Sequence, residues 1–170
     1  KLEAQGTTGD RRPAFELHEV SAVLRNFDEW IGHARNAASR ERREIMRDYV
    51  EILVDTGARP GDELLNLRWN QIKYRNNPSK RDIPSAVEEN NVYDDFGPTD
   101  AVTNLNRTVE MTVSGKTGTR VIIGRQPTVA ALVRIARRNY ALEGTVLEPL
   151  KDVAKPDNTD YVLRTKEKQL

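Results

Sequence analysis

Thr56-Gly57-Ala58-Arg59-Pro60-Gly61-Asp62-Glu63-Leu64-Leu65-Asn66-Leu67-Arg68-Trp69 is the stretch on which the reading of this chain turns. Before it, Ile45, Met46, Tyr49, Val50, Ile52, Leu53 and Thr56 recur at helical spacings and predict a helix from about Arg42 to Thr56. Gly57 suits the carboxyl-terminal cap of that helix, because glycine enters the left-handed conformation without steric cost. Pro60 predicts the start of a short second helix, where its missing N–H is no loss. Asp62 and Glu63 fall in the first turn of that helix, where carboxylates complement the helix dipole. Leu64, Leu65 and Leu67 predict its packing face. Arg59 is thus bounded by two helix ends and reads as a placed arginine, although a salt bridge to Asp62 or Glu63 would also account for it.

Working outward, residues 1–12 are polar, carry two glycines and read as a linker or tail. Residues 13–170 read as one domain. Phe15, Val20, Val23, Leu24, Phe27, Trp30 and Ile31 predict an amphipathic helix with its aromatics in the core, and His18 and His33 lie near its ends. Asn36 to Arg43 is a polar connection or the basic opening of the next helix. Beyond the central stretch, Trp69, Ile72 and Tyr74 alternate with polar residues and predict a strand. Residues 75–106 hold Pro78, Pro84 and Pro98 among many Asn and Asp, and read as a long insertion-like loop interrupting a sheet. Thr108 to Val113 and Thr119 to Ile123, joined by Ser114-Gly115-Lys116-Thr117-Gly118, predict a β-hairpin. Pro127 opens another helix that buries Val129, Leu132, Val133, Ile135 and Ala136 and carries Arg134, Arg137 and Arg138 on its polar side. A short strand is expected at Tyr161-Val162-Leu163.

The formal net charge is +1, from 27 basic and 26 acidic residues, so overall charge does not announce a nucleic-acid partner and any such argument rests on local clustering. Without cysteine there can be no disulfide, thiolate metal site or cysteine nucleophile, and two histidines argue against a multi-histidine metal site. No apolar run reaches membrane-spanning length and the amino terminus lacks a signal-peptide core, so a soluble, cytoplasmic protein without a membrane partner is expected. The opening at Lys1 and the final charged run around Lys166 and Lys168 lead us to expect a piece of a longer chain. Gly115-Lys116-Thr117 lacks the first glycine and the following helix of a phosphate-binding loop. There is no Gly-x-Ser-x-Gly elbow and no carboxylate pairing of the glycosidase kind.

Three polar features remain. A rigidly held Arg59 offers a planar fork matched to two phosphate oxygens. Lys116, at a hairpin tip, can reach a bound backbone and give a proton to a leaving oxygen, or it is simply a solvated turn residue. Arg134, Arg137 and Arg138 are a basic group or a solvated helix face.

Together these residues resemble the tyrosine recombinases, the phage-integrase family. The stretch from Thr56 to Trp69 resembles the segment carrying that family's first catalytic arginine. Val113 to Ile122 resembles the hairpin whose turn carries its catalytic lysine. The helix with Leu17 and Glu19 at its start resembles the first helix of the catalytic domain, so the similarity runs in order from about Phe15 to Leu163. The resemblance implies an α+β fold, mainly α, in which a helical catalytic domain carries a small antiparallel sheet. It implies a site-specific DNA recombinase or integrase that cleaves and rejoins DNA through a phosphotyrosyl intermediate, as in integration or excision of a mobile element. Arg59 and Lys116 would be catalytic, with Glu63 or Asp62 the supporting acid; the family more often has this acid three after the arginine, which is Asp62. Lys116 and Arg120 would contact double-stranded DNA, on which the protein would assemble as a homo-oligomer, a tetramer. No metal or other cofactor is implied.

The family's His-x-x-Arg motif, its later histidine or tryptophan and its tyrosine nucleophile have no match. His18 and His33 precede Arg59, and Tyr140 and Tyr161 stand in the wrong context. This polypeptide alone is therefore expected not to complete strand cleavage. The alternatives are a non-enzymatic DNA-binding protein on the same scaffold and a helical interaction domain.

Overall fold

The expected central helix and hairpin both form in the computed structural model, which describes residues 15–76, 107–116, 118–142 and 148–164. The expected tail at 1–12, almost all of the loop at 75–106, and Thr117 lie outside the described residues. In chain order the elements are α1 (Leu17–Arg25), α2 (Phe27–Gly32), α3 (Ala37–Thr56), α4 (Asp62–Leu65), a 3-10 turn (Trp69–Gln71), β1 (Ile72–Asn76), β2 (Arg107–Gly115), β3 (Gly118–Gly124), α5 (Gln126–Tyr140) and α6 (Glu148–Val153). The fold is α+β, with one small antiparallel sheet.

Helix α3 starts earlier than its apolar pattern suggests because Asn36 caps it, its side chain accepting the Ser39 N–H at 2.8 Å. It ends where Gly57 takes φ +64°, with the Gly57 N–H donating to the Leu53 carbonyl at 3.0 Å. Its apolar stripe is narrower than expected. Ile45 and Ile52 are buried, but Met46 is exposed, and Asp48 occupies a fully buried position on the same helix.

The expected first helix is two. Asn26 breaks the run, its backbone near φ −81°, ψ −5° and its side-chain amide donating to the Ala22 carbonyl at 2.8 Å. Phe27 and Ile31 are buried, but Phe15 and Trp30 are exposed, so those two aromatics are not core.

The sheet has the order β1-β2-β3. Val109, Met111 and Val113 of β2 point inward with Ile72 of β1 and Ile122 of β3, onto Val129, Leu132, Val133, Ile135 and Ala136 of α5 and Ile52 of α3. Trp69 is wholly buried and packs edge-on to Tyr140, but it opens a 3-10 turn rather than a strand. No strand forms at Tyr161-Val162-Leu163. That segment makes a single antiparallel bridge, Tyr161 to Arg68, with the Val162 N–H donating to the Leu67 carbonyl. No described helix is long and apolar enough to cross a membrane.

Candidate functional site

The turn between α3 and α4 is built locally. Thr56 Oγ1 donates back to the Ile52 carbonyl and accepts the Ala58 N–H at 3.2 Å, which ties the chain down just before Arg59. Gly61 sits at φ +98°, a conformation that L side chains rarely adopt, and its N–H donates to the Tyr49 hydroxyl at 2.9 Å. Both ends of Ala58-Arg59-Pro60 are therefore fixed to α3, and the Arg59 side chain lies on the surface.

Glu63 fixes this turn from below. Its residue is 4% exposed, whereas Asp62 beside it faces solvent. One carboxylate oxygen, Oε2, accepts the Arg59 N–H at 2.8 Å and the Arg120 Nη2 at 2.8 Å. The same Arg120 nitrogen reaches the Gly57 carbonyl at 3.4 Å. The Arg120 guanidinium, and after it the Arg59 amide, hold the Glu63 carboxyl below its ordinary value. Of the two acids, Glu63 is the one whose carboxylate accepts the Arg59 N–H.

The hairpin arrives at the same carboxylate. Gly115 pairs with Gly118 beside Lys116, and a Cβ at Gly115 would stand 2.9 Å from Glu63 Cγ. Only a residue without a side chain lets the hairpin lie this close. Lys116 is the next residue and is exposed. Arg59, Glu63, Arg120 and the Lys116 hairpin, separated by up to 61 positions in sequence (59 to 120), are brought together at one corner of the fold.

The basic group on α5 is elsewhere and otherwise employed. Arg134 Nε donates to Asp48 Oδ1 at 2.8 Å, Arg134 Nη2 also bonds Glu51, and Arg138 bonds Asp48 Oδ2 at 3.1 and 3.2 Å. Asp48 and Glu51 outweigh the opposing effect of burial and raise the Arg134 value. Arg134 and Arg138 therefore join α5 to α3, while Arg137 is exposed. Asp55 supplies a further link that sequence reading missed: its Oδ2 accepts the Arg125 N–H at 2.6 Å and the Thr128 hydroxyl at 2.5 Å, capping α5 from α3.

Both tyrosines late in the chain are held by hydrogen bonds. Burial, with Asp160 accepting from its hydroxyl at 2.8 Å, raises Tyr140 above its ordinary value. The Tyr161 hydroxyl accepts from Arg68 Nη2 at 2.7 Å, and the Arg68 guanidinium lies over its ring. His18 is an exposed residue of α1 and His33 caps α2. Among the described residues no group of three or more His, Cys, Asp or Glu is arranged to hold a metal ion.

Compared with known proteins, the chain matches no family model, and no curated protein or solved structure is significantly similar to it.

Proposed function

We propose that this chain is the first part of a tyrosine-recombinase catalytic domain, belonging to a protein that cuts and rejoins double-stranded DNA site-specifically. The observation that carries the reading is the convergence on Glu63. The two segments singled out by resemblance are far apart in sequence, and one carboxylate holds the backbone of the first and the guanidinium of the second's β3 strand. A helical interaction domain would have no need to register an arginine turn against a lysine hairpin.

In the proposed reaction a tyrosine oxygen, losing its proton to a base, bonds to the phosphorus of a DNA phosphodiester, and the bond from phosphorus to the 5′-oxygen breaks. The products are a 3′-phosphotyrosyl ester and a 5′-hydroxyl, so the phosphoester is conserved and no metal or nucleotide is consumed. Arg59 stabilises the charge that builds on the non-bridging oxygens. Lys116 gives the departing 5′-oxygen its proton. Glu63 holds the Arg59 turn, and Asp62 is left to complement the α4 dipole. No described residue is assigned as the attacking tyrosine or the remaining arginine.

The test is Arg59→Ala in the intact protein on a nicked duplex selected by wild type from a random-sequence pool. Loss of one such charge-stabilising group lowers cleavage about 10²–10³-fold, with most DNA affinity kept. Undiminished covalent trapping would refute the reading. Trapping absent in wild type despite tight duplex binding would leave a non-enzymatic DNA-binding protein.

A further inference from the structure

Arg120 is oriented for holding the protein together. In the hairpin register it pairs with Val113 and lies two residues before Ile122, so it shares the packed face of the sheet with two buried residues. Thr119, Val121 and Ile123, on the other face of β3, are exposed. The Arg120 Nη2 is spent on Glu63 Oε2 and reaches the Gly57 carbonyl, and both acceptors belong to the Arg59 turn. The side chain is 43% exposed.

We infer that Arg120 is a positioning residue, clamping the Lys116 hairpin onto the Arg59 turn through Glu63 and Gly57 instead of binding DNA itself. The inference rests on the proposed function for the roles of Lys116 and Arg59. Two hydrogen-bonded anchors sit within a few residues of those two side chains: the Arg59 N–H on Glu63 and the Arg120 guanidinium across both segments. The Arg120 anchor uses a β3 side chain that a substitution can remove without altering Arg59, Glu63 or Lys116 themselves. A displacement of about 1 Å at a catalytic group can cost on the order of 10²-fold in rate, so the hairpin's seating on the turn is a catalytic variable.

The experiment uses the intact protein as wild type, Arg120→Ala, Arg120→Lys and Lys116→Ala on the selected nicked duplex. That duplex is made with either an oxygen or a sulfur at the bridging 5′ position of the scissile phosphate. Sulfur departs as a thiolate and needs no proton, so it bypasses a misplaced lysine. Arg120→Ala is expected to slow adduct formation about 100-fold on the oxygen substrate and to recover most of that loss on sulfur, as Lys116→Ala does. Its salt dependence of duplex binding stays at the wild-type slope. Arg120→Lys, which keeps the charge without the fork, falls between Arg120→Ala and wild type and serves if the alanine variant does not fold.

A defect that sulfur leaves untouched, or a fall of about one in the salt slope, would overturn the inference in favour of a DNA contact. If wild type forms no adduct on either substrate, the recombinase reading fails. The clamp is then decided in this chain by carbon-detected NMR titration of Glu63: an upward move of its titration in Arg120→Ala supports the clamp, and an unmoved titration overturns it.

Discussion

Asp48→Asn is the sharpest test of how the two site-bearing halves are joined. Asp48 lies on α3, whose end forms the Arg59 turn, and it is fully buried against Arg134 and Arg138 of α5, which follows the hairpin. Those guanidinium side chains are 30% and 11% exposed, so Arg138 above all is left with little water in place of the lost carboxylate. Breaking a buried pair by removing one partner costs about 3–5 kcal/mol, because the surviving charge stays desolvated. In a domain of this size each kcal/mol lowers Tm by about 2–4 °C, so the expected fall is about 6–20 °C. Urea and thermal unfolding of the 170-residue chain measure it. A loss below about 1 kcal/mol, the range of exposed ion pairs, would refute the claim that this cluster joins α3 to α5.

Other outcomes follow from the same contacts. A Cβ at Gly124 would stand 2.4 Å from the buried Thr128 Cγ2, so Gly124→Ala should destabilise by about 1–3 kcal/mol in urea unfolding; an unchanged midpoint would contradict the packing of β3 on α5. Asp55→Ala removes the cap that α3 supplies to α5 and should cost about 0.5–2 kcal/mol, with faster amide exchange in the first turn of α5. Glu63 is held below its ordinary value, so below about pH 4.3 the unfolded chain binds more protons there than the folded one. Its contribution to stability is therefore full above that pH and is lost as pH falls through the lowered folded value. Glu51, raised chiefly by burial, acts in the opposite sense, so the difference between wild type and Glu63→Gln across about pH 3–6 isolates Glu63. Identical pH slopes in the two proteins would remove Glu63 from the account.

What could be read from the sequence was local. Gly57 as a cap, the acids opening α4 and the hairpin each carry their signal within a few residues; the first two appear where that chemistry puts them, and the hairpin's strands run on to the pair Gly115 and Gly118. The break at Asn26 was not legible, because helical periodicity runs straight across it and the Asn26 side-chain bond to Ala22 at the break leaves no mark on that periodicity. Arg134 and Arg138 read as a basic group or a solvated face because their neutralising partner, Asp48, lies 86 and 90 positions away. Asp62 and Glu63 are adjacent, and about 100° of helix rotation decides which turns inward; spacing from Arg59 could not choose. Arg120 was found as a basic residue of the hairpin, but its direction depends on strand register against Val113 and on where α4 lies beneath. Tyr161-Val162-Leu163 has strand composition, yet its partner segment at Leu67 and Arg68 is already turning into the 3-10 helix and offers one bridge.

The central claim is that this corner of the fold works on a DNA phosphodiester. The most direct measurement is mass analysis of the intact wild-type protein after incubation with the selected nicked duplex. The account predicts a tryptic peptide bearing a DNA 3′-phosphate on tyrosine, together with a free 5′-hydroxyl strand, and its loss in Arg59→Ala. Stable duplex binding with no covalent peptide would contradict it.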